Sequence, residues 1–387
     1  MSARPDLDAR LEVDLGTFHV DLRLRAEHGV TAVLGPNGSG KTTALKALAG
    51  LHTLTSGHVR VGGEPWADAD RGLHLPPERR SVGMVLADPL LFPHLSLLDN
   101  VAYGPRSRGM PRRAARDRAA EELGRVGLGD LLGRRPAQVS SGQAQRAALA
   151  RALATDPDLL LLDEPLSALD PQTRSRTRAD LAARLRDYPG LTVMVTHDAL
   201  DALTLADQLV FVDGGRVTQS GTPAEVIARP RSSYVAGIVG LNLVPGTLVQ
   251  ERGVTSVAPT TEVTPRSGAP AQEDAGGWAL ELDGGGRLVV ADAPEGARPG
   301  DRVLATVNPA AVTLYTERPA ASARNLWELE VSAVTVTGQR TRVVLHGIPG
   351  VELVAEVTLS AVAELRITAG CTLWAGVKAT EIEVYPA

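Results

Sequence analysis

Gly35-Pro36-Asn37-Gly38-Ser39-Gly40-Lys41-Thr42 fits the phosphate-binding pattern G-x-x-x-x-G-K-[ST] without a gap. The run before it, Val30-Thr31-Ala32-Val33-Leu34, reads as a buried strand, and residues 42–49 read as a helix, so the glycines fall at a strand-to-helix turn. That context gives each residue type a task. Glycine lets the backbone curl until successive N–H groups point at phosphate oxygens, and the helix N-terminus adds a favourable field. Lys41 is placed to reach the β/γ-phosphates, and Thr42 offers a hydroxyl to Mg²⁺. Residues 35–43, Thr43 included, are therefore expected to bind a nucleotide. A glycine-rich turn between core elements is the plain alternative, and it leaves the matching flanks unexplained.

A chain of 387 residues exceeds what one hydrophobic core usually supports, so two or more domains are expected at about 100–200 residues each. Residues 1–230 carry 28 basic and 28 acidic side chains, and the remainder 12 and 17. Neither part has the basic excess of a nucleic-acid binder. Lysine occurs only at Lys41, Lys46 and Lys378, a bias toward arginine that reads as genome composition. With Cys371 alone, an intrachain disulfide and a Cys-cluster metal site are excluded, which fits a reducing compartment. No apolar run approaches the ~20 residues that span a bilayer, and residues 1–6 lack the apolar core of a signal peptide. The expectation is a soluble protein able to dock on a membrane partner.

Taken in order, residues 11–15 and 18–24 alternate at period two, as half-buried antiparallel strands do. Phe18 could stack on an adenine, but an aromatic at strand spacing is more often core, and core is the reading adopted. Residues 82–86 read as a second buried strand, followed by a proline-marked loop at 87–94. Residues 111–132 read as a helix with Arg112, Arg113, Arg116 and Arg118 on a solvated face. Val139-Ser140-Ser141-Gly142-Gln143 opens another helix. Leu159-Leu160-Leu161-Leu162 is a short apolar run of the kind a fully buried parallel strand shows, and it ends in Asp163-Glu164-Pro165. A further apolar strand, 191–196, is capped by His197-Asp198.

Strand and helix alternate to about residue 230, which indicates an α/β domain. Ligands bind at the C-terminal edge of such sheets, so the two acids can face the phosphate loop. Asp163 can hold Mg²⁺, Glu164 can orient and deprotonate an attacking water, and His197 can donate to the γ-phosphate. After residue 243 helical periodicity almost vanishes, residues 253–277 read as a loose Thr/Pro/Ser/Gly-rich insert, and 302–307, 331–336, 342–345, 353–357, 372–377 and 382–384 read as short strands of a β-barrel-like region.

The ordered set of 35–42, the loop 87–94, 139–143, Asp163-Glu164, 167–170 and His197 resembles the ATP-binding cassette family over residues 1 to about 230. The resemblance implies an α/β P-loop NTPase with an antiparallel β subdomain and a helical subdomain. It also implies a homodimer that sandwiches two ATP molecules head to tail. Ser140, Gly142 and Gln143 would then reach the γ-phosphate held by the partner's loop, as donors at a helix N-terminus, and Asp170 would tie the halves together. Two positions depart from the family's pattern. Ala87 stands where the family has a Gln that touches Mg²⁺ and the attacking water, and Ser141 puts a Cβ where the family has glycine. Both departures bear on turnover.

A second resemblance lies in Ser322-Ala323-Arg324-Asn325-Leu326-Trp327, residues 355–360 and Val377-Lys378-Ala379-Thr380. These are similar to the Mop (TOBE-type, OB-like) all-β domain attached to molybdate importer ATPases. This implies an oxyanion site drawn from Ser322, Arg324, Thr358, Ser360 and Lys378, on a domain at 318–387, with 241–317 as a degenerate partner barrel. The expected role is the ATPase of an importer for molybdate or a related oxyanion. It would be peripheral on the cytoplasmic face of the membrane, bound to permease subunits and served indirectly by an extracytoplasmic binding protein. The same ATPase for sulfate, iron(III) or polyamine is the alternative, as is a nucleotide-gated regulator outside transport. Leu91-Phe92-Pro93-His94-Leu95-Ser96 resembles the importer loop beside the permease-docking surface and argues against the regulator.

Overall fold

Three strands, Val30–Leu34, Leu159–Asp163 and Leu191–Val195, are buried at every residue, which a sheet covered on both faces demands of its central strands. In the computed structural model, described for residues 6–167, 169–250, 277–320 and 323–387, they pair in parallel, with Val30 opposite Thr192 and Leu159 opposite Leu191. Val82–Val85 and Gln208–Asp213 extend the parallel set on either side. Leu7–Leu15 and Phe18–Ala26 form the antiparallel pair that their period-two pattern predicts, continued by Ser56–Val61, Glu64–Asp68 and Leu73–His74. Arg216–Gly221 joins the two regions, antiparallel to Gln208–Asp213 and parallel to Phe18–Ala26, which makes one 11-stranded sheet. All of this lies in the first of two units, Met1–Ala228, and the second is Arg229–Ala387.

Helices Leu97–Ser107, Arg112–Arg125 and Ser141–Leu153 intervene between Val82–Val85 and Leu159–Asp163 and pack on one another, as a helical subdomain. The helix expected over 111–132 stops at Arg125, because Gly127 adopts a left-handed φ of 69° and a short turn, Gly129–Leu131, follows. Its arginine face is only half solvated. Arg112 and Arg113 are exposed, whereas Arg116 pairs with Asp99 at 2.8 Å and Arg118 approaches the buried Glu122 at 3.4 Å.

The helix after the phosphate loop, Lys41–Ala49, is anchored at its far end by Arg80, which is 1% exposed. The guanidinium donates to Ala47 O (3.0 Å), Leu48 O (2.7 Å), Leu75 O (2.7 Å) and Trp66 O (3.4 Å). A cation at a helix C-terminus is favoured by the dipole, and here carbonyls take the place of a carboxylate partner. Burial lowers the Arg80 pKa to about 10.

The second unit contains two five-stranded antiparallel sheets. They exchange strands: Thr313–Tyr315 pairs with Thr372–Val377, and Ile382–Pro386 pairs with Arg302–Val307. Each sheet has a strand that begins with an Asn-Leu dipeptide, and each asparagine is 3% exposed. Asn242 bonds both backbone groups of Val354 (2.9 and 2.7 Å), and Asn325 bonds both of Val289 (2.7 and 2.8 Å). One apolar core runs from Val244 to Ile382. Residues 241–317 and 318–387 thus share strands and one apolar core within the second unit. The insert expected at 253–277 lies outside the described residues apart from Gly277.

Asn325→Ala removes both partners of Val289 at once. Each buried backbone group left unpaired costs about 1–3 kcal/mol, so the full-length variant should unfold at a measurably lower urea concentration. An unshifted midpoint would show that the reciprocal asparagine bonds do not hold the halves together.

Candidate functional site

The C-terminal ends of three buried strands bring residues 35–43, Asp163-Glu164 and His197 to one edge of the sheet. Gly35 passes so close to the next strand that a Cβ would lie 2.0 Å from Val212 O, and Gly40, at φ 103°, starts the helix from a left-handed conformation. Pro36 is half-buried, Asn37 and Gly38 are exposed at the tip, and Ser39 is buried. Lys41 folds back over the loop, where its Nζ donates to Gly35 O and Pro36 O, both at 2.8 Å. Burial lowers the Lys41 pKa, and the nearby Glu164 and Asp163 carboxylates oppose that shift.

Thr42 Oγ1 donates to Asp163 Oδ2 at 3.4 Å, and Thr43 sits half-buried one step into the helix. Burial raises the Asp163 pKa, the adjacent Glu164 adds to this, and the Thr42 bond and two lysines work against it. A hydroxyl and a carboxylate this close suit Mg²⁺, a hard cation that commonly takes one or two protein oxygens and completes its shell with phosphate and water. Glu164 has φ 49°, unusual for a residue with a side chain, and its N–H donates to Val195 O at 2.9 Å. That bond ties the backbone of Glu164 to the strand that ends beside His197. His197 Nδ1 lies 3.1 Å from Glu164 Oε1.

Ser140, Gly142, Gln143 and Asp170 play no part in this cluster through any described hydrogen bond. Ser140 caps helix Ser141–Leu153, accepting from Gln143 N at 3.3 Å while Gln143 Oε1 accepts from Ser140 N at 2.9 Å. Gly142 is closely packed: a Cβ there would stand 3.0 Å from Thr173 Cγ2 and 3.2 Å from Leu169 Cδ2, so those side chains would have to give by a few tenths of an ångström. Ser141 is exposed at the first helical position. Asp170 caps helix Pro171–Arg186, and the bond it accepts from Thr173 N (3.0 Å) holds its carboxyl below the usual range. Ala87 is exposed in a loop strapped to the capped helix: Gln145 donates to Leu86 O at 3.3 Å, and Arg151 to Pro89 O at 2.9 Å and Leu90 O at 2.7 Å.

Phe18, read from the sequence as core, packs partly buried against the core of the first unit, and its ring edge lies 3.4 Å from where a Gly40 Cβ would be, so it also borders the phosphate loop. The described C-terminal candidates have the following surroundings. Ser322 lies outside the described residues, and Arg324 is exposed. Thr358 and Ser360 hydrogen-bond each other at 2.9 Å while Thr358 caps helix Leu359–Glu364. Lys378 lines a polar pocket with Asn308, Thr313, Tyr315, Ala323 and Glu381.

Two family models match this chain. The ABC transporter family matches residues 19–167 and the TOBE domain matches residues 321–384. A molybdenum import ATP-binding protein of Mycobacterium tuberculosis (strain ATCC 25618 / H37Rv) is 39% identical, over 97% of this chain and 98% of its own length. An Fe(3+) ions import ATP-binding protein of Agrobacterium fabrum is 44% identical, over 61% of this chain and 66% of its own. Among solved structures, cbiO1 from Clostridium perfringens, part of an ABC transporter complex, superposes with a TM-score of 0.52 at 29% identity, over 58% of this chain and 90% of that one.

Lys41→Ala removes the one ammonium at the loop and leaves phosphates to backbone N–H groups. Steady-state ATP hydrolysis should be abolished and Mg-ATP binding weakened, and unchanged hydrolysis would remove Lys41 from the site.

Proposed function

Because this chain belongs to the ABC transporter family and is an importer ATPase, we propose that its cargo is molybdate or a closely related oxyanion. The observation that carries the reading is the extent of the similarity. The molybdenum import relative matches along 97% of the chain, second unit included, while iron, sn-glycerol-3-phosphate and polyamine import relatives match over 215–255 residues.

In the proposed cycle the loop 35–43 and Lys41 hold the phosphates, and Phe18 stacks on the adenine. Thr42 and Asp163 would hold Mg²⁺, which would supply charge neutralisation at the phosphates. Glu164, turned toward the edge by its left-handed backbone, orients the water and takes its proton. His197 contacts Glu164 Oε1 through Nδ1 and donates from Nε2 to the γ-phosphate as an imidazolium, with both ring nitrogens protonated. Ser140, Gly142 and Gln143 sit at the N-terminus of their own helix, apart from the acids, so they serve a nucleotide bound by a second copy. Asp170, exposed at the next helix start, lies on the same contact between copies. The homodimer would couple to two permease subunits on the cytoplasmic face, with an extracytoplasmic binding protein delivering the anion. Among the described residues no helix is long and apolar enough to cross a membrane, consistent with a peripheral subunit.

The pocket around Lys378 is the proposed regulatory site. It meets oxyanion only after import, and preferential binding to the resting state would shift the dimer toward rest. Ammonium, hydroxyl and amide groups there can donate to a tetrahedral dianion, opposed by the Glu381 carboxylate that lines the same pocket.

Two experiments test these readings. Glu164→Gln keeps the shape of the base and removes its function, so ATP should hold a stable dimer in gel filtration with light scattering; monomer alone would end the sandwich arrangement. Calorimetry of the full chain with molybdate, tungstate and sulfate should give heat for molybdate that Lys378→Ala diminishes. Silence with all three anions would return the cargo question to open.

A further inference from the structure

Arg174, in the first turn of helix Pro171–Arg186, is bonded unlike any other arginine near the site. Its Nε donates to Leu166 O at 3.1 Å, and its Nη2 to Ser167 O at 3.1 Å and Leu169 O at 3.5 Å. Its Nη1 donates to Asp198 Oδ2 at 3.1 Å. One planar fork thus gathers three carbonyls from the loop after Glu164 and the carboxylate of the residue after His197. The loop is in turn fixed to the base, because Ser167 N (3.2 Å) and Ser167 Oγ (2.9 Å) both donate to Glu164 O. With the contact between His197 Nδ1 and Glu164 Oε1, the connections close a ring through Glu164, Ser167, Arg174, Asp198 and His197.

We propose that Arg174 is a positioning residue for ATP hydrolysis: it touches no nucleotide and fixes Glu164 and His197 relative to each other through the loop 166–169 and Asp198. Anchoring of the helix does not require it. Asp170 caps the same helix, and Arg178, one turn on, ties it to helix Ala199–Leu205 through Asp201 Oδ1 at 2.5 Å and Asp198 Oδ1 at 3.8 Å. Among the described side chains, Arg174 is the one that donates to the carbonyls of Leu166, Ser167 and Leu169. Lysine could not replace it fully, since a single ammonium cannot match a planar fork of five donors.

The inference rests on Glu164 and His197 being the hydrolytic pair, and the test separates the two. In the full-length protein, Arg174→Ala should lower kcat about 10–100-fold, since a misplacement near 1 Å can cost ~10²-fold. Mg-ATP binding and KM should change by less than about threefold, because the phosphate loop is untouched. Arg174→Lys should recover part of kcat. Asp198→Ala should lower kcat as well, and the loss in the double variant should fall well short of the product of the two single losses, as residues acting through one connection do; the helix cap lost with Asp198 is common to both Asp198 variants and cancels in that cycle. A kcat within about twofold of the parent, a parallel loss of kcat and ATP binding, or multiplying effects in the double variant would each overturn the proposal. Should Arg174→Ala fail to fold, Arg174→Lys carries the same split between kcat and KM. Glu164→Gln run alongside identifies which idea has failed: turnover retained there sinks the hydrolytic reading, and turnover lost there with Arg174→Ala unchanged sinks only the role of Arg174.

Discussion

Everything at the nucleotide edge depends on a backbone that must bend sharply without losing its hydrogen-bonding order. Lys41 supplies the restraint, since its ammonium spans the loop and bonds the carbonyls of Gly35 and Pro36. The loop N–H groups are thereby left to converge on an anion, as a run of inward-pointing amides does. The restraint works only because both neighbours are rigid. The strand before the loop is buried at every residue, and the helix after it has its C-terminal carbonyls held by Arg80. A buried cation at each end of one short helix, Lys41 at the first residue and Arg80 beyond the last, makes the loop and helix a single stiff part.

The remaining chemistry is distributed according to what each helix start can do. Ser140 and Asp170 satisfy orphan N–H groups of their own helices, so their side chains are spent locally while the remaining amides face outward. Gly142 packs against Leu169 and Thr173, which brings these two helix starts side by side. The chain therefore carries two polar groupings with no described hydrogen bond between them, one of phosphate-loop donors and acids, the other at two helix starts. Straps from Gln145 and Arg151 to the loop at 86–90 join the second grouping to the loop that holds Ala87.

Much of this was legible in the residues. Fully apolar runs marked the parallel strands, alternation marked the antiparallel ones, and the strand-loop-helix context located the phosphate loop, the acids and His197 before any coordinate was known. Other features depend on contacts remote in sequence. Phe18 has the pattern of a core residue and also borders the loop, because strand spacing does not record which end of a strand lies beside a ligand. Arg174 looks like any helix arginine until its four acceptors, up to 24 residues away, are placed around it. In the second unit short strands were visible, but pairing was not. Exchange of Thr313–Tyr315 and Ile382–Pro386 between sheets has no local signature.

Strand exchange also bears on how the protein is made. The first unit has all its strands in hand once residue 221 has been synthesised, and domains fold as units from the N-terminal side while translation proceeds at roughly 5–20 residues per second. The second unit has no such freedom. Arg302–Val307 waits for Ile382–Pro386 to take the place beside it, so an edge of its first sheet stays open until the final strand leaves the ribosome. An open, apolar strand edge invites pairing with neighbouring chains. Nascent chains stalled after the cassette are thus the form of this protein most exposed to aggregation, and the one in which a chaperone has most to cover.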